Sequence, residues 1–381
     1  MNGSRRAGAL IAVIALALAV VVSLRPWPWA PAKPLPSPPI NSFFPIERWD
    51  FVSFANGWVE AGRPPGNTAL LYSTADAGRS WKQVRTPGPD THPLFDLQAL
   101  DSRHLLGTTS SPEALWWSDD GGQSWEDRSP PALNQVGQAA RRRFGHFFLD
   151  PQHGWLLDSP IDSTQADQPS TLWATTDAGV MWHAVWRLDP RTPEFAEVLR
   201  EGLHVGLSFR DPMTGWLALR TTQKSRLYRT NDGGSSWRQV TLPLSALLMN
   251  AVAHTPDGAA ILITSNGYGS YATVITSRDG GDHWESKRQL PDALGGIPFR
   301  FSFLDHDHWL YGNGDDIFIT NDAGQAWTTF KPSVPAGHRL GEVRFADRLH
   351  GWADAGDAML RSEDGGRTWK LAPTALRRRQ Q

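Results

Sequence analysis

Asp305-His306-Asp307-His308 sets two carboxylates and two imidazoles on four consecutive residues, a donor composition that transition metals accept. Successive side chains of extended chain point apart, and the quartet falls in a tight turn between two predicted strands, where solvated polar residues are ordinary. No metal is therefore expected there. Asp315-Asp316 falls in a second turn and, read the same way, holds no calcium. A different chemistry is offered by Arg48, Arg143, His204, Arg300 and Arg339, each just ahead of a predicted strand, with Arg141 and Arg142 beside Arg143. If those strands line a channel, the seven residues form a basic patch at its mouth. Such a patch suits an acidic segment of a partner protein, or a carboxylated or phosphorylated ligand. Ordinary solvated surface is the competing reading.

The elements that must position these groups follow from one motif. Ser/Thr-x-Asp-x-Gly-x-x-Trp recurs seven times without a failed position: Thr74/Asp76/Gly78/Trp81, Ser118/Asp120/Gly122/Trp125, Thr175/Asp177/Gly179/Trp182, Thr230/Asp232/Gly234/Trp237, Ser277/Asp279/Gly281/Trp284, Thr320/Asp322/Gly324/Trp327 and Ser362/Asp364/Gly366/Trp369. Successive aspartates lie 44, 57, 55, 47, 43 and 42 residues apart, the period of a four-stranded propeller blade. In each copy Asp can accept hydrogen bonds from nearby amides, the hydroxyl closes the turn and Gly supplies a positive φ. Trp is then expected to open the next strand and to bury a large apolar surface, about 2–3 kcal/mol of transfer free energy per copy.

A second pattern runs an aromatic strand into Gly-Trp: Phe54 to Gly57-Trp58, Phe148 to Gly154-Trp155, Phe209 to Gly215-Trp216 and Phe345 to Gly351-Trp352. The sixth repeat has Phe303 to His308-Trp309, and the second and fifth carry degenerate forms at 97–106 and 252–262. Each repeat reads as strand a, tight turn, strand b, loop, strand c, Asp-box turn, strand d. The predicted fold is all-β: a seven-bladed β-propeller of four-stranded Asp-box blades over residues 44–373, preceded by one N-terminal hydrophobic helix. Because each repeat supplies its own four strands, closure is expected from packing of blade 1 on blade 7, with a further strand from residues 40–47 left open.

Composition agrees. The 381 residues include 19 Trp, which a repeated slot explains, and 64 Gly plus Pro, which suits a turn-rich β protein. The absence of cysteine excludes disulfides, thiolate chemistry and a lipidated N-terminal cysteine. Setting aside residues 1–38 removes four basic residues and no acid, leaving 33 basic against 39 acidic, a net charge of −6 that argues against a nucleic-acid partner. Arg5 and Arg6 precede an uncharged apolar stretch from Ala7 to Leu24, then Arg25 and the interfacial pair Trp27 and Trp29. Residues 1–25 are expected to be a signal or membrane anchor that places the bulk on the periplasmic or extracytoplasmic side. Cleavage after Ala30-Pro31-Ala32, releasing a secreted domain, is the alternative. Residues 26–43 form a Pro-rich spacer, and 374–381 a basic tail around Arg377-Arg378-Arg379.

The Asp box is shared by neuraminidases, sortilin and several glycoside hydrolases, so alone it specifies a turn. The longer motifs "FADRLHGWADAGDAMLRSEDGGRTW" (345–369) and "FRDPMTGWLALRTTQKSRLYRTNDGGSSW" (209–237) resemble repeats of the photosystem II stability/assembly factor family of β-propellers. That resemblance implies a non-catalytic envelope scaffold that assists assembly of a membrane complex, with a protein partner and no cofactor. The enzymatic rival is a sialidase-type or other glycan-active propeller, which would use a Tyr nucleophile, acidic partners and an arginine clamp. Of five tyrosines, Tyr72 and Tyr228 fall in strand c, leaving Tyr268, Tyr271 and Tyr311. The Arg-Ile-Pro motif that opens sialidases is missing, and seven repeats stand where six are expected. Catalysis is therefore not expected, and a glycan partner is the alternative to a protein.

Overall fold

The computed structural model describes residues 45–372 apart from 64–67, 88–93, 95, 111–112, 131–141, 161–168, 190, 193–203, 221–224, 244–247, 250–251, 259, 266–271 and 290–300. The expected anchor, spacer and basic tail lie outside the described residues, as do Arg141 and Arg300. Seven antiparallel sheets form, one per repeat, over residues 46–84, 96–127, 142–188, 204–240, 248–289, 302–330 and 343–371. Six are simple four-stranded meanders. In blade 5 the degenerate first strand is broken into Leu248–Met249 and Ala253–His254, both paired with Ala260–Ser265. Of residues 40–47, the described ones enter strand a of blade 1, Ile46–Phe51, and add no fifth strand; residues 40–44 lie outside the described residues.

The Asp box forms as its residues dictate. In blade 1 Thr74 Oγ1 accepts from Gly78 N and donates to Asp76 Oδ1, both at 2.9 Å, and that oxygen also accepts from Ser80 N at 2.9 Å. The same three bonds recur in the other six boxes. All seven box glycines have φ between 71° and 99°, the region where a side chain is strained.

The box tryptophans depart from expectation in place and in burial. None of Trp81, Trp125, Trp182, Trp237, Trp284, Trp327 and Trp369 opens strand d; each sits one residue before it and still belongs to the turn. Their indoles hydrogen-bond in two ways. Trp237, Trp284 and Trp369 donate from Nε1 to the carbonyl of their own box glycine, at 3.0, 3.1 and 2.9 Å, which folds the ring back over the turn. Trp125 and Trp182 donate instead to Arg85 O and Arg128 O of the preceding blade. Only Trp182, Trp284 and Trp369 are buried; Trp81, Trp125, Trp237 and Trp327 are half-buried. The Gly-Trp residues carry the core more evenly, with Trp58, Trp155, Trp216 and Trp352 at most 3% exposed.

The second pattern has a steric reason. The last Phe of strand a pairs with the Gly that opens strand b: Phe51 with Gly57, Phe148 with Gly154, Phe209 with Gly215 and Phe345 with Gly351. A Cβ at Gly57 or Gly215 would enter the facing ring, and one at Gly154 or Gly351 would lie 2.5 or 2.8 Å from it. Phe51 thus fills the slot that sequence spacing assigns to Phe54. Phe54 instead lies in the a–b turn, where its carbonyl accepts from Trp352 Nε1 at 3.1 Å.

The core lies between blades, in seven apolar seams. Leu71 and Val84 meet Leu97 and Leu105; Leu106 and Trp117 meet Phe148 and Trp182; Trp155 and Leu157 meet Phe209 and Leu217. The later seams gather around Trp216 with Trp284, around Trp309, and around Ile317 with Trp369. A seventh joins the last blade to the first: Trp49, Val59 and Ala77 pack against Trp352, Met359 and Ala372, with Phe51 stacked on Trp352 at 4.2 Å. Among the described residues the ring closes as expected, by packing and without a shared strand.

The burial pattern sets an order of stability losses. Trp352→Ala should cost about 3–5 kcal/mol in chemical denaturation and Trp125→Ala distinctly less; equal losses would return the core to the box Trp. The turns set a pH dependence, because the seven box carboxyls are all held below the usual range. Partial burial opposes this at Asp76, Asp120, Asp232 and Asp364 but is outweighed by hydroxyl and amide donors, and amide donors lead at Asp177, Asp279 and Asp322. Depressed carboxyls stabilise the fold fully above the unfolded value, near 4, and lose that contribution as pH falls through the folded values. Melting temperature should accordingly fall steeply on acidification below pH about 4, and a flat profile from pH 5 to 2.5 would contradict this.

Candidate functional site

Strands a and c run toward the same end, so the a–b turns and Asp boxes share one end of the ring. The b–c loops and blade-to-blade connections gather at the other, the mouth where each strand a begins. Arg142 and Arg143 open strand a of blade 3 (Arg142–Phe148) and His204 opens that of blade 4 (His204–Phe209), which places their backbones at this mouth. Arg48 lies two residues into strand a of blade 1, pairs in register with Glu60 and donates from Nη1 to Glu47 O at 2.6 Å. Arg339 precedes blade 7 and meets Asp315 Oδ2 at 2.6 Å in the b–c turn of blade 6. Asp315-Asp316 does form that turn, closed by Asn313 Oδ1 accepting from both amides at 3.1 and 2.8 Å. The side chains of Arg339 and Asp315 are 70% and 62% exposed, so their pair is weak and yields readily to a better acceptor.

Charged residues inside strand a lie outside what the motifs predict. Arg344 of blade 7 reaches Asp50 Oδ1 of blade 1 at 2.5 Å and Glu342 Oε1 at 2.6 Å, with its guanidinium 4.5 Å from the Trp49 ring centre. Asp50 Oδ2 accepts from Ala99 N of blade 2 at 2.8 Å, so one carboxylate joins three blades. The position repeats: Ser302 Oγ of blade 6 accepts from Phe345 N of blade 7 at 2.7 Å, and Gln98 of blade 2 donates to Phe148 O of blade 3 at 3.3 Å. These residues precede the last residue of strand a in each blade, which is the sequence signal that could have found them. Glu60 is a second unforeseen group. It occupies the third position after the strand-b Gly, where blades 3 and 4 carry Leu157 and Ala218, and it is fully buried. Its Oε1 accepts from Leu94 N at 2.8 Å, and burial pushes its pKa up to about 7 against the pull of that bond and of Arg48.

The other candidates resolve into turn chemistry. Asp305 Oδ1 accepts from Asp307 N and His308 N, both at 2.9 Å, and its carboxylate from His308 Nδ1 at 2.7 Å. The same Asp-x-x-His turn recurs at Asp101/His104, Asp150/His153 and Asp347/His350. Each turn is tied to the Asp box beside it, as in Gly121 N to Arg103 O at 2.8 Å and Ala323 N to Asp307 O at 3.0 Å. No grouping of three metal-ligating residues occurs among the described residues. Tyr72 and Tyr228 lie buried in strand c, and Tyr311 is fully buried in strand b of blade 6, stacked on Phe318 at 4.5 Å. Tyr268 and Tyr271 lie outside the described residues.

Seven four-stranded blades, each locked by an Asp box and joined to its neighbours through apolar seams, define the chain as an Asp-box seven-bladed propeller. No family model matches it. Among curated proteins it is similar to the photosystem II assembly lipoprotein Ycf48 of Synechococcus sp. (strain CC9902), 25% identical over 299 residues, which cover 77% of this chain and 78% of that protein. Photosystem II stability/assembly factors of plants are further low-identity homologues, so the resemblance read from the repeats holds. Among solved structures, YCF48 bound to a D1 peptide aligns at TM-score 0.52 and 17% identity, over 89% of this chain and 98% of that one. A GH74 xyloglucanase from Xanthomonas campestris aligns at TM-score 0.59 and 17% identity, over 92% and 56%. At these identities the structural likenesses establish the fold.

Glu60 yields a prediction of opposite sign to that of the Asp boxes. A carboxyl whose pKa is raised on folding costs nothing below its unfolded value, near 4.3, and destabilises progressively as pH climbs from there to about 7, above which the cost is constant, at about 1.4 kcal/mol per unit of difference. Glu60→Gln should therefore raise the melting temperature more at pH 8 than at pH 4. A variant that is destabilised equally at both would show a carboxylate the fold requires.

Proposed function

We propose that this protein is a non-catalytic scaffold that holds a protein partner during assembly or stabilisation of a membrane complex in the cell envelope. The observation that carries this reading is similarity to photosystem II assembly factors over about three quarters of both chains, a span that includes most of the ring. A relative solved with a bound peptide makes a peptide segment the natural class of partner. The ring suits such a role, because seven packed seams hold the mouth rigid while the connections there differ in length. In this reading residues 1–25 tether the propeller to the cell membrane on its periplasmic side, and residues 26–43 lift it clear. The docking surface is the mouth, where Arg48, Arg142, Arg143, His204 and Arg339 stand with Arg300 and Arg141 close by in sequence. Burial of Tyr311 and of both strand-c tyrosines supports the absence of a sialidase-type nucleophile at those positions.

Affinity capture of the tagged full chain from gently solubilised native membranes tests this. The expected result is one discrete membrane-complex subunit, lost from the Arg143→Gln/Arg300→Gln/Arg339→Gln variant at unchanged melting temperature. Capture that survives the triple substitution would remove the basic mouth as the docking surface. Recovery of glycan in place of protein would support the carbohydrate reading that the glycoside-hydrolase likeness keeps in view.

A further inference from the structure

Arginines at the Asp-box end of the ring are, at two seams, matched by acids across the seam. Arg229 and Arg238 of blade 4 both reach Asp282 of blade 5, and Arg278 of blade 5 meets Asp307 of blade 6 at 3.2 Å. The seam between blades 6 and 7 departs from this. Four turns meet there around a cavity of about 210 Å³ whose inner wall is Leu310, Ile319 and Phe330 and whose open side carries Arg348, Arg367 and Asn321. Arg348 follows the turn aspartate Asp347, and Arg367 follows the box glycine Gly366. Only blade 7 has arginine at both positions: the first is Ser102, Pro151, Pro212 or His306 in other Asp turns, and the second is Gln123, Val180, Ser235, Asp282 or Gln325 in blades 2 to 6. The turns do not need these side chains.

Neither arginine has a good anionic partner. Arg367 donates to Asp364 O at 3.1 Å and covers the Phe330 ring at 5.5 Å, with no carboxylate in ion-pair range among the described residues. Arg348 Nη2 lies 2.9 Å from His308 Nδ1, but that nitrogen also lies 2.7 Å from both oxygens of Asp305. One nitrogen cannot donate and accept at once. Three sister turns bond the same nitrogen to the turn carboxylate, so His308 Nδ1–H donates to Asp305. The approach of Arg348 is then donor against donor, and its nearest acid, Asp305 Oδ2, is 3.8 Å away and already engaged. Two underused guanidiniums thus open onto an apolar pocket.

We propose that this cleft binds a carboxylate carried on a short apolar group, the chain end of a peptide. Arg348 and Arg367 clamp the carboxylate, Asn321 offers a further donor, and Leu310, Ile319 and Phe330 receive the terminal side chain. The volume is below that of a drug-sized site, which limits the occupant to about one residue. A sugar acid fits less well, because the Phe330 face on which a pyranose would stack is taken by Arg367. This site lies at the opposite end of the ring from the mouth and goes beyond the scaffold reading.

The test is titration of the full-length protein with N-acetyl-leucine, its amide and glucuronate, followed by calorimetry and saturation-transfer NMR. N-acetyl-leucine should bind with a Kd of about 1 mM and the amide at least tenfold more weakly, in line with a single-group ligand. Arg348→Gln and Arg367→Gln should each weaken binding several-fold without lowering the melting temperature, while Arg79→Gln, the matching box residue of blade 1, should not. Equal binding of acid and amide, or binding unchanged in both Gln variants, would overturn the clamp. Binding of glucuronate but not N-acetyl-leucine would overturn the peptide end as its occupant. Because these probes do not involve the mouth, the result is independent of capture by the triple-Arg variant.

Discussion

The ring depends on the seam between blade 7 and blade 1. Every other pair of neighbouring blades is joined by a covalent connection as well as by packing; this pair is held by side chains and, among the described residues, one backbone bond from Ile46 to Gly356. No strand is shared among the described residues, whose ladder bonds are spent within blades. What remains includes the apolar seam with Phe51 stacked on Trp352, the bond from Trp352 Nε1 to Phe54 O, one from Arg361 Nη1 to Ala77 O at 3.1 Å, one from Ile46 N to Gly356 O at 2.7 Å, and the Arg344–Asp50 pair. That pair is only 23% and 17% exposed, and both partners make further hydrogen bonds, which distinguishes it from the surface pairs elsewhere. The Trp49 face under Arg344 adds a cation–π contact at a desolvated site.

Closure by packing explains the division of labour between the two ends. At the Asp-box end both turns of a blade are built by side chains that accept from backbone amides, and a backbone bond ties one turn to the other. Geometry there is nearly the same from blade to blade. At the mouth the chain must only return from strand d to the next strand a, and nothing in the seam fixes the length of that connection. The box-to-box distances of 57 and 55 residues around blades 3 and 4, against 42 and 43 around blades 6 and 7, are absorbed there. A rigid frame with one free end is what a docking platform requires.

Much of this is legible in sequence because the repeat is a physical unit. Seven hydroxyl-Asp-Gly-Trp copies define the blade count, the c–d turn and its bond pattern, since each residue type has one job that a short turn can use. Phe54 misleads because it stands three residues from Gly57, where the other repeats leave six; only pairing shows that Phe51 is the ring over the glycine. The box Trp misleads because large apolar residues look alike in sequence, whereas burial depends on which blade face they meet. Trp284 and Trp369 are buried within their seams, while Trp81 and Trp125, at the same motif position, only edge theirs and remain half-open. The Asp-x-x-His turn is in plain view yet reads as isolated polar residues. Arg344, Asp50 and Glu60 are hidden for another reason: a charge within a strand acquires meaning from its partner in the neighbouring blade, which spacing along one chain does not reveal.

Repetition also supplies an internal control that a single-copy fold lacks. A position that faces solvent after a turn is sealed carries no structural demand, so its residue can change without cost to the ring. Most blades fill such positions with Ser, Gln, Pro or Asp. Blade 3 has Val180 and Met181 there, 63% and 60% exposed, and blade 7 has Arg367 together with Arg348 across the a–b turn. The apolar pair has no counterpart to say what covers it. The arginines do have one, because a cavity, an apolar wall and a misfit with His308 converge on them. Departure from the repeat becomes an argument for function only where the surroundings also depart, and on that criterion the seam between blades 6 and 7 stands apart from its neighbours.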